Sequence, residues 1–239
     1  MKILQVTLWL YASALGKSWD CVRRNWLVVL APVAYGLILT IIGMIVAPLG
    51  MIGGLIYSLA SSACASSGLY LVKNLVDSGR ADVHDFLNGF LVYLGDLLTF
   101  YFILWIPTWV LTNALGGVPN GWLIYSLLRL GLFILLNAVP EMIYQARVSG
   151  LELIGASYSF IVENWLEWLI PNLLLFAAGY YFLDFFESLL FGLPAFVQLF
   201  ATALMLGLLL ACFMTFRGFL FSRLHGTTRR SRIYRYDAR

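Results

Sequence analysis

The sequence predicts an all-α polytopic membrane protein with six transmembrane helices, two interfacial amphipathic helices and an internal duplication. Three observations support this class. The chain of 239 residues is 62% hydrophobic and only 11% charged, so it lacks the polar surface that a water-soluble globule needs. Apolar windows long enough to cross a hydrocarbon core of ~30 Å recur along its length. One short motif also occurs in both halves of the chain.

The apolar windows fill most of the chain and leave no room for a soluble domain, so residues 1–239 are expected to form a single membrane domain. The predicted spans are about 26–46, 49–72, 91–112, 121–143, 165–186 and 193–216.

The repeated motif lies at the entry to the first and the fifth span. Gly16, Ser18, Asn25, Trp26, Leu27, Leu30 and Pro32 recur at identical spacing as Gly155, Ser157, Asn164, Trp165, Leu166, Leu169 and Pro171. Such self-similarity indicates an internal duplication. We expect one repeat over about 1–115 and the other over about 140–225, side by side in the bilayer.

Each copy of the motif is preceded by a segment too polar to cross the membrane. In residues 3–24 and 146–163 apolar side chains recur at helical spacing, which predicts amphipathic helices in the inner interface. The predicted apolar stripes are Leu8, Tyr11, Leu15, Trp19 and Val22 in the first segment, and Leu151, Ile154, Tyr158 and Ile161 in the second.

An asparagine stands where each of these two spans begins. Asn25 and Asn164 are expected to cap the first free N–H groups of the helices, and Glu167 adds a capping-box arrangement to the second copy.

The residues that follow predict anchors and bends. Trp26 and Trp165 are expected at the headgroup level, which favours an amphipathic indole. Pro32 and Pro171 are expected to kink both spans at the same depth.

Small residues recur every fourth position in two other spans, a pattern that lets helix backbones approach closely. We expect these two helices to pack tightly, either against each other or against any neighbour in the bundle. The two rows are Gly50, Gly54, Ser58, Ser62 and Ser66, and Ala203, Gly207, Ala211 and Thr215.

A polar turn connects the second and third spans. Gly79 is typical of a helix C-terminus, and Asp82 with Asp85 is typical of a helix N-terminus. A metal site made of Asp82, His84 and Asp85 is the less favoured interpretation, because no second His or Cys is nearby in sequence.

The basic residues predict the orientation. Of the 15 Lys and Arg residues, all but Arg129 fall in segments on one side of the predicted spans, which by the positive-inside rule is the cytoplasmic side. We therefore expect a protein of the bacterial inner membrane with both termini inside. Residues 226–239 are expected to form a solvated basic tail that attracts anionic lipid and does not serve to bind nucleic acid.

Ionisable residues within spans are costly and are therefore candidate functional groups. Arg129, with Asp184 and Glu187 on the same outer side, predicts either a structural ion pair or a snorkelling arginine, or else a cavity that holds an anionic ligand or headgroup. Asp96 and Glu141 lie in the inner third and predict either a proton or cation site, or interface placement beside Lys73 or Arg147.

The chain lacks G-x-S-x-G, H-E-x-x-H and phosphate-loop motifs, and its two histidines lie in predicted loops. We therefore expect no enzymatic activity, no cofactor and no metal.

With the doubled Ser-x(6)-Asn-Trp entry unit and the small-residue second span, the chain resembles the duplicated six-span membrane domain found on some glycerophosphodiester phosphodiesterases, together with its stand-alone bacterial relatives. The resemblance implies a membrane module that accompanies other activities, and it transfers no catalytic residues because the phosphodiesterase domain is missing. Two hypotheses follow. The first is a non-enzymatic membrane subunit or scaffold that binds other membrane proteins, and the second is a carrier or permease for an amphiphilic or lipid-like substrate.

Overall fold

The computed structural model describes residues 2–237, and every regular element among them is helical. A short 3-10 turn, Ala47–Leu49, follows α2, and a π-helical turn, Met142–Ala146, follows α7. The helices are α1 (Lys2–Arg24), α2 (Trp26–Val46), α3 (Gly50–Ser78), α4 (Val83–Val92), α5 (Leu94–Leu115), α6 (Gly121–Leu135), α7 (Val139–Glu141), α8 (Glu152–Leu189), α9 (Ala195–Leu224) and α10 (Arg229–Asp237).

Six helical segments are long and apolar enough to cross a membrane, which confirms the six predicted spans and makes the chain an integral membrane protein. The segments are Trp26–Leu49, Met51–Ser78, Leu94–Leu115, Gly121–Ala146, Glu152–Leu189 and Ala195–Leu224.

The bundle has two unlike ends. Consecutive spans run in opposite directions, so the short connections 47–49, 116–120 and 190–194 lie at one end, here called the distal end. Helices α1, α4 and α10 and the connection from α6 to α8 lie at the other, the proximal end.

The hydrophobic core lies mainly at the proximal end. The larger of two buried clusters joins α1, α3, the π-helical turn, α8 and α9, and a smaller cluster joins α1, α2, α3 and α9. The largest fully buried side chains are Trp168, Tyr144, Phe216 and Phe221.

Helix α1 packs on α9 through a face with a four-residue period: Val6, Leu10, Ala14, Ser18 and Val22 are all buried. The apolar stripe predicted from the sequence lies mostly elsewhere on the helix surface, since Leu8 and Trp19 are more than half exposed. Helix α1 thus has one apolar face toward the bundle and a second that is open.

The second predicted interfacial segment differs from its predicted bounds. Its first residues belong to the π-helical turn and an irregular stretch, and the helix begins only at Glu152. From there α8 runs to Leu189, with non-helical backbone at Asn164, where φ is −125° and ψ is 20°.

The two prolines do not end the helices that contain them. Both α2 and α8 continue through Pro32 and Pro171, and the non-helical residue inside α8 is Asn164. The break in α8 therefore falls at Asn164, where the preceding segment meets the span, and the bends expected at the two prolines stay a prediction.

Candidate functional site

The most deeply buried charge of the described residues is the carboxylate of Glu141, which is 0% exposed and pairs with the buried Arg217. The Arg217 Nε donates to Glu141 Oε1 at 2.8 Å, and Nη2 donates to Oε2 at 2.7 Å. The same Nη2 also donates to the backbone oxygen of Asn137 at 2.6 Å. This fork is the strong bidentate geometry that a planar guanidinium forms with a carboxylate.

Aromatic rings surround the pair and tie it to α8. The Arg217 guanidinium carbon lies 5.2 Å from the ring centroid of Trp168 and 5.6 Å from that of Phe213. The Trp168 indole N–H donates to the Asn137 side-chain oxygen at 3.0 Å. Because a buried charge is costly unless it is paired and hydrogen-bonded, these contacts fix the chain between α6 and α7 against α8 and α9.

Backbone contacts close the other side of the pair. The Gln145 amide donates to the carbonyl oxygen of Gly218 at 2.9 Å. A Cβ on Gly218 would lie 2.6 Å from a methyl of Val76 and 2.7 Å from the Tyr144 hydroxyl, so only glycine fits here without displacement. A side chain of the π-helical turn therefore bonds directly to the backbone of α9.

Sequence reasoning missed this pair. It offered Lys73 or Arg147 as neighbours for Glu141, but Lys73 pairs with Asp77 at 3.6 Å and Arg147 is exposed. The last predicted span ends at about residue 216, which leaves Arg217 just outside it. One signal was available: Arg217 is followed by Gly-Phe-Leu-Phe, so the apolar helix continues past it to Leu224.

Asn25 stands at the N-cap position of α2 but does not cap it by a side-chain hydrogen bond. Its amide donates to the carbonyl oxygens of Cys21 at 2.7 Å and Gly79 at 2.9 Å, and its side-chain oxygen accepts from the N–H of Ala81 at 3.1 Å. The predicted cap is therefore wrong. The side chain instead bridges the end of α1 to the turn after α3, because those backbone groups are buried beside it.

Asn164 has the same local bond and a different distant one. Its amide donates to the carbonyl oxygen of Phe160, four residues earlier, at 3.2 Å, as Asn25 does to Cys21. Its side-chain oxygen accepts from Arg232 at 2.8 Å. The predicted capping box with Glu167 does not form, because Glu167 pairs with arginines of the C-terminal segment.

The C-terminal segment is folded where a solvated tail had been expected. Arg229 makes a forked pair with Glu167 at 2.8 and 3.2 Å, and Arg232 is 6% exposed. Tyr11 of α1 donates to the carbonyl oxygen of Leu166 at 3.4 Å, and burial, with Glu167 nearby, raises the pKa of Tyr11 to about 12. This part of the tail docks on α8; the last two residues of the predicted tail lie outside the described residues.

The tryptophans at the two entry points point away from the bundle. Trp26 is 69% exposed and Trp165 is 52% exposed. Their exposure is what a headgroup anchor requires, and the expectation that they anchor stays a prediction.

Arg129, Asp184 and Glu187 are not brought together. All three are exposed, and no ion pair joins Arg129 to either carboxylate among the described residues. The predicted structural ion pair is thus not formed among the described residues, and the site for an anionic ligand stays a prediction.

The rows of small residues are used in part. Gly50, Gly54 and Ser58 are exposed, whereas Ser62 and Ser66 are buried. The Ser66 hydroxyl donates to the carbonyl oxygen of Gly89 at 2.7 Å. The buried part of the small-residue row on α3 therefore packs against α4.

The row on α9 meets α2. A Cβ on Gly207 would overlap the backbone oxygen of Val29, and Ala211 packs in the smaller buried cluster with Val28 and Ala31, while Ala203 is half-buried. Helices α3 and α9 do touch, but the close backbone approach on α9 is to α2.

Two cavities in the described part of the chain are large enough to hold a ligand. One, of about 620 Å³, is an apolar groove bounded by α1, α8 and α9. The other, of about 510 Å³, lies between α8 and the segment 227–232. Neither is lined by Arg129, Glu141 or Arg217.

Comparison with known proteins adds no relative. No protein-family model matches the chain, and no curated protein and no solved structure matches it.

Proposed function

We propose that this protein is a non-enzymatic integral membrane subunit, a scaffold that binds other membrane proteins through the distal halves of its spans. The observation that carries the proposal is Arg129. It is exposed on α6, within a candidate span and about 12 Å from the first residue of the helix at ~1.5 Å per residue. A charged side chain at such a site costs roughly 2.5–3.5 kcal/mol unless it is paired or reaches the interface.

The surroundings of Arg129 favour a partner helix. Leu127, Leu130 and Phe133 of the same helix are each more than half exposed, and no described carboxylate pairs with the arginine. A neighbouring protein with an acidic residue at this depth would offset the cost of the charge, since ion pairs are favoured where water is absent.

We propose further that the proximal end faces the cytoplasm of a bacterium and that the chain lies in the inner membrane. The support is the positive-inside distribution: within residues 2–237, every Lys and Arg except Arg129 belongs to segments of the proximal half.

We also propose that the two halves arose by duplication, as in the membrane domains that the sequence resembles. The shared geometry at Asn25 and Asn164 supports this, because each side chain donates to the carbonyl four residues earlier and each residue has a φ near −126°, at −127° and −125°. In each half the entry span packs on the span that follows it, α2 on α3 and α8 on α9; the halves differ in the further neighbour, which is α9 for α2 and α6 for α8.

The test is site-specific photo-cross-linking in the native membrane from Phe133, one turn from Arg129. We expect an adduct with another membrane protein that Arg129→Gln reduces by about tenfold. Arg80→Gln, which removes an exposed charge at the proximal end, serves as the matched control and should leave the adduct unchanged. If the cross-linker formed adducts only with lipid, and the protein purified in mild detergent as a monodisperse monomer, the scaffold hypothesis would be rejected.

A second candidate, a carrier for an amphiphilic or lipid-like substrate, is favoured by the apolar groove of about 620 Å³. Gly179 lines the groove and has free space around it, so Gly179→Phe would fill the groove. Transport of a fluorescent lipid in reconstituted vesicles should then fall, and Arg129→Ala should also abolish it if the arginine holds the headgroup. Unchanged flux in both variants would dismiss the carrier.

A further inference from the structure

The second cavity has the features of a built polar site. It has a volume of about 510 Å³ and lies where α8 passes from its proximal segment into its transmembrane part. It is separate from the Glu141–Arg217 pair and from the exposed face of α6. Its lining is Val162, Glu163, Asn164, Trp165, Thr227, Thr228, Arg229 and Arg232.

One side of the cavity carries surplus positive charge. Arg229 pairs with Glu167 at 2.8 Å, and Arg232 approaches the same carboxylate at 3.9 Å, so one carboxylate serves two guanidinium groups. Arg232 donates through Nη2 to Asn164 at 2.8 Å and to the backbone oxygen of Thr227 at 3.2 Å.

The buried arginine is left incompletely satisfied. Arg232 is 6% exposed, and its Nε has no hydrogen-bond partner among the described residues. Burial lowers the pKa of Arg232, Glu167 opposes this, and the neighbouring Arg229 lowers it again. An anion in the cavity would accept hydrogen bonds from the half-exposed Arg229 guanidinium and offset the repulsion between the two guanidinium groups.

The same cavity also carries a negative charge. Glu163 is exposed, lines the same cavity and forms no ion pair with any described cation. A simple anion would use the arginine side and be repelled by Glu163. A ligand that carries both a phosphate and an ammonium group would use both sides.

The position of the cavity indicates where such a ligand comes from. Trp165 lines it, is half exposed and stands at the beginning of the transmembrane part of α8. An exposed tryptophan at this level is typical of the lipid headgroup region. Zwitterionic phospholipids with a primary amine present a phosphate and an ammonium group in that region.

We propose that this cavity binds the headgroup of a zwitterionic phospholipid with a primary amine, its phosphate at Arg229 and Arg232 and its ammonium at Glu163. A carboxylate favours a primary ammonium over a quaternary one because the former donates hydrogen bonds. The site therefore distinguishes phosphatidylethanolamine from phosphatidylcholine and from phosphatidylglycerol.

Native mass spectrometry of the full chain in mild detergent tests the proposal with three lipids at equal concentration: phosphatidylethanolamine, phosphatidylcholine and phosphatidylglycerol. We expect phosphatidylethanolamine to be retained about tenfold more than either of the others. Arg229→Gln should reduce its retention about tenfold, whereas Arg230→Gln, which removes a neighbouring charge that does not line the cavity, should not.

Glu163→Gln keeps the proposal testable even if Arg229→Gln loosens the C-terminal segment, because Glu163 is exposed and holds no described ion pair. This variant should lose the preference for phosphatidylethanolamine and bind phosphatidylglycerol at least as well as the wild type does. Stronger retention of phosphatidylglycerol by the wild type would identify an anionic-lipid site, and displacement by inorganic phosphate without amine preference would identify a free-phosphate site. Equal losses in Arg229→Gln and Arg230→Gln would show only diffuse charge attraction, and each of these results overturns the proposal.

Discussion

The proximal and distal ends of this bundle are built on different principles. At the proximal end, charged and amide side chains are buried and paired, as in Glu141 with Arg217 and Arg232 with Asn164. At the distal end the helices expose large apolar side chains, and even Arg129 has no described ionic partner. Within an apolar 18-residue stretch of each helix, only 6% of the α5 stretch is buried, against 39% of the stretch in α3, the helix that carries much of the proximal core.

The contrast follows from the solvent that each end meets. Lipid is as apolar as leucine, so no hydrophobic effect drives the distal halves together, and they are free to face lipid or a partner helix. At the proximal end, irregular backbone and polar side chains need internal partners, because an unsatisfied buried polar group is costly. The proximal end thus holds the fold, and the distal end is left for interactions.

The largest expected effect is at the buried ion pair. Glu141→Gln leaves the Arg217 guanidinium buried without a counter-charge, which should cost about 3–5 kcal/mol of stability. The measurement is the melting temperature in detergent by intrinsic tryptophan fluorescence, with Asp184→Asn at the distal end as the control.

Replacement of both partners sharpens this prediction. The double variant Glu141→Leu, Arg217→Met removes both charges together and should recover most of the lost stability, because well-packed apolar residues often replace a buried pair without loss. Equal melting temperatures for Glu141→Gln and the wild type would mean that the pair is not the anchor of the proximal end.

The next effect is at the close approach of α9 to α2. In Gly207→Ala the new methyl would overlap the backbone oxygen of Val29, which cannot move as a side chain can, so we expect a loss of about 1–3 kcal/mol. Gly54→Ala is the matched control: Gly54 is also in a row of small residues, but its Cβ would meet open space. A similar change in melting temperature for both variants would refute a tight contact at Gly207.

A smaller loss is expected at the first entry point. Asn25→Ala leaves the buried N–H of Ala81 and the carbonyl oxygen of Gly79 without their partner, which should cost about 1–2 kcal/mol. Asn113→Ala removes an exposed asparagine whose bond is to its own helix and should change stability little. If capping of α2 were the real role of Asn25, Asn25→Ser would preserve stability; we expect it to lose as much as alanine does.

The smallest effect is expected at the distal surface. Asp184→Asn removes an exposed charge that has no ion pair among the described residues. The free energy of unfolding should therefore change by no more than about 0.5 kcal/mol, as measured from the melting temperature in detergent. A large loss would show that the distal end has a polar contact of its own and would weaken the contrast between the two ends.

The sequence by itself determined the composition class, the six spans and the turn between α3 and α4. Apolar runs of sufficient length need no tertiary information, because the bilayer sets their length. Gly79 ends α3 with a left-handed φ of 71°, and the N–H of Asp82 donates to the carboxylate of Asp85 at 2.9 Å, as local turn chemistry predicts.

Only the tertiary structure decided which polar groups meet. Glu141 and Arg217 are far apart in the chain, and Asn25, Asn164 and Glu167 take partners from distant segments instead of capping their own helices. Local patterns predict a bond between neighbours in sequence, but a buried carboxylate or amide takes whichever partner the fold brings to it, because it cannot turn to water.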